Sequence, residues 1–303
     1  MKILLVNIDS KQPNLALHKV EKFYKDKGHQ IDWLHLNKAK KWSDGFFSTP
    51  ALDKKYSKIF VSCVFTKNKD ECKVWEGKAL IGGSGYSLSV QLPEKIERVK
   101  PKINYGFTTR GCIRKCKFCV VPEKERLVHP VGDLLDLWDG KSKLITVLDN
   151  NILALPKHFK KICHQAQENK IKLDFSQGLD HRLLTADLAK VLKNIRHVEY
   201  RFSFDHPSYV KTVEKAINIL KEQGIKRSQW YVLVGFDTTF EEDLFRLDFL
   251  RDLGQVVYVM RYSRERIYIP LARWANQAHI FRAMDWKSFL EHKENKRYRK
   301  LFK

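Results

Sequence analysis

The chain has 303 residues, of which 43% are hydrophobic, 12% aromatic and 30% charged, and its formal net charge is +22. This composition is that of a globular protein with one large domain or two moderate ones, and no apolar run approaches the ~20 residues that span a bilayer. The apolar run at the N-terminus is too short for a signal peptide, so we expect no membrane partner and a cytoplasmic protein with reduced cysteines.

The first 86 residues alternate between strand and helix patterns. The predicted elements are strands over 3–8, 31–36 and 59–65 and a helix over 15–24 that Gly28 ends. Strands that alternate with helices predict a parallel sheet. We therefore expect a small Rossmann-like α/β domain over residues 1–86.

A strand over 79–86 that runs into a Gly-Gly-Ser-Gly turn closes this region. Glycine permits positive φ and a close approach of the backbone, which can serve a phosphate or a cofactor but is equally needed by an ordinary turn. Residues 87–102 contain two prolines and mixed charge, and we predict that they form a linker.

From residue 103 to 270 the alternation becomes regular. The predicted strands are 103–108, 144–148, 171–176, 197–204, 230–234 and 255–260, and the predicted helices are 159–166, 186–192, 209–223 and 241–253. Counting the strand before the cysteines described next, this pattern comprises six strand-helix units.

Three cysteines in a CxxxCxxC spacing follow the first of these strands: Cys112, Cys116 and Cys119. Three thiolates so close in sequence converge at little loop-closure cost, and soft sulfur ligands suit an iron-sulfur cluster or zinc. The other three cysteines, Cys63, Cys72 and Cys163, are isolated, so a closed zinc site with four ligands is not evident. A zinc site completed by a distant histidine such as His129 remains an alternative, as do buried structural thiols.

The motif, with the aromatic Phe118 directly before its last cysteine, resembles that of the radical S-adenosylmethionine (SAM) enzymes. The resemblance implies a [4Fe-4S] cluster held by the three cysteines, with SAM chelating the open iron. It further implies reductive cleavage of SAM to a 5′-deoxyadenosyl radical, with an electron from a flavodoxin- or ferredoxin-type donor. The implied fold is a partial (β/α)6 TIM-like barrel over 103–270, so the expected class is α/β, with the Rossmann-like domain preceding the barrel.

One branch of that family carries a truncated cobalamin-binding-like domain before the barrel, and region 1–86 is similar in position. The DxHxxG motif of that branch is absent, because Asp9 is followed by Ser10, Lys11 and Gln12. The sequence therefore disfavours cobalamin.

In such barrels the chemistry lies at the carboxyl ends of the strands. The alternation of Arg201 and Ser203 with phenylalanines turns both polar side chains to one face, where they can meet a ligand, point to solvent or pair with each other. Thr239 and Glu242 also fit a helix capping box. The residues that the resemblance implies as cofactor contacts are Phe118, Asp149, Asn150, Gln177, Arg201, Ser203, Gly235 and Arg261. For Phe118, a place in the hydrophobic core is the alternative.

Residues 271–303 are predicted to be a basic C-terminal extension. Its cations are interspersed with Tyr298 and Phe302, and they are Lys293, Lys296, Arg297, Arg299, Lys300 and Lys303. This pattern suits phosphates and stacked bases, and equally a solvated helix. We expect a radical SAM enzyme with an unidentified substrate, for which a nucleic acid or nucleotide is a candidate. The alternative is a non-catalytic basic module that binds zinc or an iron-sulfur cluster and nucleic acid.

Overall fold

A computed structural model describes residues 1–36 and 55–302. The chain forms two compact units, one of Met1–Gly106 with Leu135–Gly140 and one of Phe107–Leu134 with Lys141–Lys303. Within the described residues, no helix is long and apolar enough to cross a membrane. Lys303, which belongs to the predicted basic extension, lies outside the described part of the chain.

The first unit contains a parallel sheet of four strands in the order β2-β1-β3-β4. The strands are β1 (Lys2–Asn7), β2 (Gln30–His35), β3 (Lys58–Ser62) and β4 (Leu80–Gly82). Leu5 of β1 lies beside Trp33 of β2 and Phe60 of β3. The β1 strand is apolar on both faces because each face is covered, as in other parallel sheets. This arrangement is the parallel α/β architecture expected for the N-terminal region.

Helices cover both faces of this sheet. The helix Leu15–Lys25 begins at Asn14, whose side chain accepts from Leu17 N, and its apolar residues pack against Ile3 and Leu5. A 3-10 helix, Thr66–Trp75, contributes the buried Trp75 to the other face. That segment has no regular apolar period, so its sequence does not predict a helix.

The predicted linker 87–102 belongs to the first compact unit. It includes the short helix Glu94–Glu97, whose Ile96 is buried in the core under the helix Leu15–Lys25. Lys19 Nζ lies 2.6 Å from Glu97 Oε1. An isolated buried isoleucine among charged residues carries little periodic signal, which is why the composition indicated a linker.

The second unit is built on parallel strands. They are β8 (Leu144–Val147), β9 (Lys172–Phe175), β10 (Arg201–Ser203), β11 (Gln229–Val234) and β12 (Val256–Arg261). Strands β8 and β9 pair in parallel, and β10, β11 and β12 form a parallel sheet in that order. Parallel bridges between Leu173 and His197 and between Leu179 and Phe202 connect the two groups. The α/β class with parallel sheets is confirmed, while closure into a partial (β/α)6 barrel stays a prediction.

The first strand predicted for this part of the chain, 103–108, differs from the structure. The chain forms β5 (Tyr105–Gly106) and β6 (Thr109–Arg110) instead, and β6 pairs antiparallel with β7 (His129–Pro130). Asn104, with φ of 59°, interrupts the run with a left-handed conformation that a regular strand does not accommodate.

Helices alternate with the parallel strands as the periodicity predicts. The four long helices are Pro156–Glu168, Ala186–Asn194, Val210–Glu222 and Phe240–Asp252, and a short one, Val121–Glu125, follows the cysteines. The predicted capping box is present: Thr239 Oγ1 accepts from Glu242 N, and Glu242 Oε2 accepts from Thr239 N. The C-terminal helices are Tyr268–Ala275, Ala278–Ala283, Trp286–Glu291 and Lys296–Arg299.

The predicted C-terminal extension packs into the second unit. Tyr298 is only 9% exposed, and the Phe302 ring lies 5.2 Å from Phe240 and 5.5 Å from Trp286 between centroids. Arg299 Nε donates to Leu290 O. Both aromatic residues that the sequence offered for base stacking therefore lie against their own unit, because an aromatic ring gains more from burial than from solvent.

A buried ion pair joins the carboxyl ends of β10 and β11. Arg246 and Asp243 are both fully buried and paired, and Arg246 donates to Phe204 O at 2.6 Å and Leu233 O at 2.8 Å. Asp243 in turn accepts from Gly235 N at 2.8 Å. This network fixes the turn that follows β11.

Removal of the buried cation should destabilise the second unit. We expect Arg246→Met to lower the free energy of unfolding by about 3–5 kcal/mol, because Asp243 would be left as a buried charge without its partner. Urea unfolding followed by tryptophan fluorescence measures the loss. The matched control is Arg251→Met on the same helix, whose partly exposed pair with Asp248 is expected to contribute about 1 kcal/mol or less. Equal losses in the two variants would contradict the assigned role of Arg246.

Candidate functional site

The cysteine loop, residues 111–120, begins at a glycine that no other residue can replace without strain. Gly111 has φ of +82°, and a Cβ built on it would lie 2.3 Å from Leu127 O. The next residue, Cys112, donates its N–H to Arg126 O at 3.1 Å. The loop therefore leaves β6 along a path set by close backbone contact with residues 126–127.

Glu125 anchors the start of the cysteine loop. Its carboxylate accepts from Gly111 N at 3.0 Å and from Asn150 Nδ2 at 2.8 Å, and it pairs with Arg110 at 3.0 Å. Asn150, which the resemblance implied as a SAM contact, is thus engaged with Glu125. The guanidinium of Arg110 also stacks over Phe107 at 4.1 Å.

The Asp180 carboxylate connects the middle of the loop to two other segments. It accepts from Arg114 Nε at 2.8 Å, from Arg182 Nε at 2.7 Å and from Asn151 Nδ2 at 3.1 Å. Burial acts to raise the pKa of Asp180, but the hydrogen bonds from the two arginines outweigh it and hold the pKa below its usual value. The charged carboxylate therefore stays in place under the cysteine loop at neutral pH.

The three cysteine thiols are half-buried and close enough to influence one another. Burial raises the pKa of Cys116 and Cys119, and the neighbouring cysteines raise it further, while Arg182 acts in the opposite direction on Cys116. Cys112 Sγ accepts from Arg114 N at 3.3 Å and from Asn151 Nδ2 at 3.5 Å. In residues 1–36 and 55–302, no three Cys, His, Asp or Glu side chains converge as ligands of a single metal ion.

Asp149 has a different neighbourhood from the one that the resemblance implied. It is buried and accepts from Thr108 N at 2.6 Å and Thr109 N at 2.9 Å. Burial raises its pKa to about 6, although those hydrogen bonds act to lower it. In this structure the carboxylate anchors the segment that enters the cysteine loop. Its neighbour Asn151 is buried beside Cys112 and has an amide oxygen that finds no partner among the described residues.

A cavity of about 240 Å³ opens beside the loop, at the carboxyl ends of β10 and β11. Polar groups from four segments reach it, and the Phe118 ring meets Phe236 edge-on at 5.6 Å. Its lining includes residues 115–118 of the loop, His181 and Arg182, Ser203 and Asp205, and Phe236 with Asp237. Three residues predicted for the site, Cys116, Phe118 and Ser203, therefore come together here.

The remaining predicted residues do not line this cavity. Arg201 pairs with Asp174 and donates to Gln229 Oε1, so its carboxylate partner belongs to the chain itself. Gln177 is exposed. Gly235 donates to Asp243 and has φ of +71°, and a Cβ built on it would lie 2.7 Å from the Tyr268 ring. Arg261 is exposed at the end of β12, in a separate groove.

Several residues of the site were absent from the sequence-based set. Asp180, His181 and Arg182 follow β9 after four intervening residues, and the run of three ionisable residues after a predicted strand is the signal that could have identified them. His181 is buried, donates to or accepts from Thr212 Oγ1 at 3.1 Å, and has a pKa that burial lowers to about 4. Phe236 directly follows Gly235, a residue predicted for the site, and this adjacency was its signal in the sequence.

The carboxyl edge of the first unit is occupied by its own side chains. Asp9 accepts from Val64 N and Phe65 N, each at 2.8 Å, and from Asn68 Nδ2 at 3.0 Å. Asn14 Nδ2 donates to Ser62 Oγ at 2.8 Å. Gly83 and Gly85 pack so tightly that a Cβ would overlap the backbone of residues 63 and 65. The glycine-rich segment thus serves a close turn against β3.

Solved structures provide a fold comparison. The structure of TsrM from Kitasatospora setae, a radical S-adenosylmethionine methyltransferase with cobalamin and a [4Fe-4S] cluster bound, is similar with a TM-score of 0.63. The two chains are 14% identical, and the match covers 91% of this chain and 78% of TsrM. A second TsrM structure, with tryptophan substrate and the SAM analogue aza-SAM, gives a TM-score of 0.62 at 13% identity and covers 85% and 72%.

No protein-family model matches the chain, and no curated protein matches it. The comparison therefore concerns the fold: this chain is similar in fold to a radical SAM enzyme. The sequence-based expectation that disfavoured cobalamin is not supported, because the similar enzyme binds cobalamin. The missing DxHxxG motif was a local signal, whereas a fold comparison weighs the whole chain.

The strain at the start of the loop can be tested with two glycine substitutions. Gly111→Ala should disturb the cysteine loop, because the new Cβ overlaps Leu127 O in addition to the ~1–2 kcal/mol cost of positive φ. Gly254→Ala is the control, since Gly254 has φ of +74° and nothing within 4 Å. After anaerobic reconstitution, we expect Gly111→Ala to hold less than about half of the iron of the wild type and Gly254→Ala to hold the same amount. Equal iron in both variants would contradict the role of Gly111.

Acid should destabilise the second unit through His181. The folded-state pKa of about 4 lies below the ordinary 6.5, so the unfolded chain binds the proton more tightly. The contribution to stability is complete above pH 6.5 and is lost as the pH falls toward 4, by up to about 3 kcal/mol. Urea unfolding between pH 7 and 4.5 should show a smaller decline for His181→Gln than for wild type. His279→Gln, at an exposed histidine, should decline as wild type does; identical declines in all three proteins would refute this assignment.

Proposed function

We propose that this chain is a radical SAM enzyme in which Cys112, Cys116 and Cys119 hold a [4Fe-4S] cluster. The observation that carries the proposal is the CxxxCxxC loop at the edge of a cavity, in a fold similar to that of a radical SAM enzyme. The donor set fits such a cluster, because thiolates are its preferred ligands and three of them leave one iron for an outside ligand. A positively charged cluster would also favour the thiolate form that crowding and burial now oppose.

When bound, the cluster supplies one electron that cleaves SAM to methionine and a 5′-deoxyadenosyl radical, which abstracts hydrogen from a substrate. The chain contributes the positions of the cysteines and the protection of the site. Glu125 and Asp180 hold the two sides of the loop through charged hydrogen bonds. Phe118 and Phe236 cover one side of the cavity with apolar surface and limit water there.

SAM is held by residues that differ in part from those that the sequence suggested. Phe118 contacts the adenine side, and the Ser203 hydroxyl on the same cavity bonds a ribose or carboxylate oxygen. The unpartnered Oδ1 of Asn151 accepts from the amino group. Asp149 does not take this role, because its carboxylate already accepts the amide hydrogens of Thr108 and Thr109.

The proposed enzyme receives its electron from a flavodoxin- or ferredoxin-type donor, and its basic surface favours encounter with an acidic partner. The similar enzyme TsrM is a methyltransferase with cobalamin bound. At the carboxyl edge of the first unit, the polar groups described above bond to the chain itself. No step of the proposed reaction depends on cobalamin.

The test combines metal content with SAM cleavage. Wild-type protein, reconstituted anaerobically with iron and sulfide, should hold about four irons per chain and form 5′-deoxyadenosine when it is reduced with SAM. Mass spectrometry quantifies that product. The Cys112→Ala, Cys116→Ala, Cys119→Ala variant should lose the iron and the product, because all three proposed ligands are absent.

Cys163→Ala is the matched control, since it removes a thiol that lies in the core of the second unit, away from the loop. It should keep both iron and cleavage. A wild-type protein that holds zinc, or holds a cluster but neither binds nor cleaves SAM, would overturn the enzyme and favour the basic metal-binding module.

A further inference from the structure

The segment Arg261–Arg266 concentrates cations and an aromatic ring on the surface of the second unit. It begins at Arg261, the last residue of the edge strand β12, and contains three exposed arginines: Arg261, Arg264 and Arg266. Among the described residues, none of the three forms an ion pair with a carboxylate. The one acidic residue in the segment, Glu265, accepts from Ser263 Oγ at 2.9 Å. The segment is therefore a site of unneutralised positive charge.

Tyr262 lies in the middle of these arginines and is 56% exposed. Its ring meets Phe236 edge-on at 4.7 Å, and Phe236 meets Phe118 of the cysteine loop at 5.6 Å. Tyr262 is thus held at a defined place, two ring contacts from the loop, with much of its surface open to solvent. Exposed aromatic rings of this kind stack on nucleic-acid bases.

Two further cations lie next to Phe118, at the other end of these ring contacts. Lys115 and Lys117 are exposed and line the cavity beside Cys116. A groove of about 390 Å³ runs along the end of β12 past Arg261 and Arg264. Cations and an exposed aromatic ring beside a groove match a strand of phosphates with stacked bases, and each phosphate contact gains affinity by counterion release.

The contacts favour a single strand over other polyanions. An acidic peptide would use the cations but gains nothing specific from an exposed tyrosine, whereas every base has a face that stacks. A reaction on a base inside the cavity also requires that base to leave a duplex. The C-terminal cations offer no comparable surface, because Tyr298 and Phe302 pack within the unit.

We propose that Arg261–Arg266 binds the phosphodiester backbone of single-stranded nucleic acid, with one base stacked on Tyr262 beside the cavity of the cysteine loop. As a binding surface the segment is independent of catalysis. Its use for presenting a substrate rests on the proposed radical SAM function.

Fluorescence anisotropy with a labelled 20-nucleotide single-stranded RNA tests the surface, using the full chain without reductant or SAM. Tyr262→Ala should weaken binding about fivefold or more through lost stacking, and Tyr262→Phe should bind as wild type does. Arg264→Gln with Arg266→Gln should lower the slope of log K against log salt by about 1.4, which is 0.7 for each phosphate contact. Lys293→Gln with Lys296→Gln removes the same charge elsewhere and should leave the affinity within about twofold.

Binding that is negligible at low salt, or lost equally in the two double variants, would overturn the proposal. Poly-glutamate that competes as well as unlabelled RNA would also overturn it and indicate an acidic protein partner. The experiment is separable from the enzyme test, because RNA binding needs no SAM cleavage. Wild-type RNA binding in a protein that fails to cleave SAM would overturn only the enzyme, and cleavage without RNA binding would overturn only this surface.

Discussion

The site depends first on one buried carboxylate, that of Asp180. It receives hydrogen bonds from Arg114 in the cysteine loop, from Asn151 after β8 and from Arg182 in its own segment. These neighbours also contact the loop. Asn151 donates to Cys112 Sγ, and the charge of Arg182 acts to lower the pKa of the Cys116 thiol. A charge this buried persists only with paired donors, so the donors and the loop are held together.

A second buried ion pair anchors the segment that brings Phe236 to the cavity. The Arg246–Asp243 pair ties the ends of β10 and β11 and fixes Gly235, after which Phe236 projects to the cavity. Asp180 and Asp243 thus both accept backbone or guanidinium N–H groups near the carboxyl ends of strands, and both anchor segments that line the cavity. That common pattern explains how a cavity between loops keeps its shape: each loop is anchored by charged hydrogen bonds, which are stronger than neutral ones.

Two groups of cations differ in what surrounds them in the structure. The C-terminal cations are interspersed with Tyr298 and Phe302, which pack within the second unit, whereas the arginines of Arg261–Arg266 flank an exposed tyrosine. The first arrangement stabilises the fold, and the second leaves both charge and ring exposed to solvent. The proposed cluster, the proposed SAM contacts and the proposed strand-binding segment therefore lie along one run of aromatic contacts from Phe118 to Tyr262.

Local sequence by itself determined the cysteine spacing, the period of the strands and helices and the capping box at Thr239, because each depends on residues near one another in the chain. Tertiary structure alone decided the partners of the polar residues. Asp149 accepts from Thr108 and Thr109, and Arg201 pairs with Asp174. Asp180 accepts from Arg114 of the cysteine loop. The sequence shows where a carboxylate is but not which donors it will meet. Its role follows from the donors that folding brings to it from dozens of residues away.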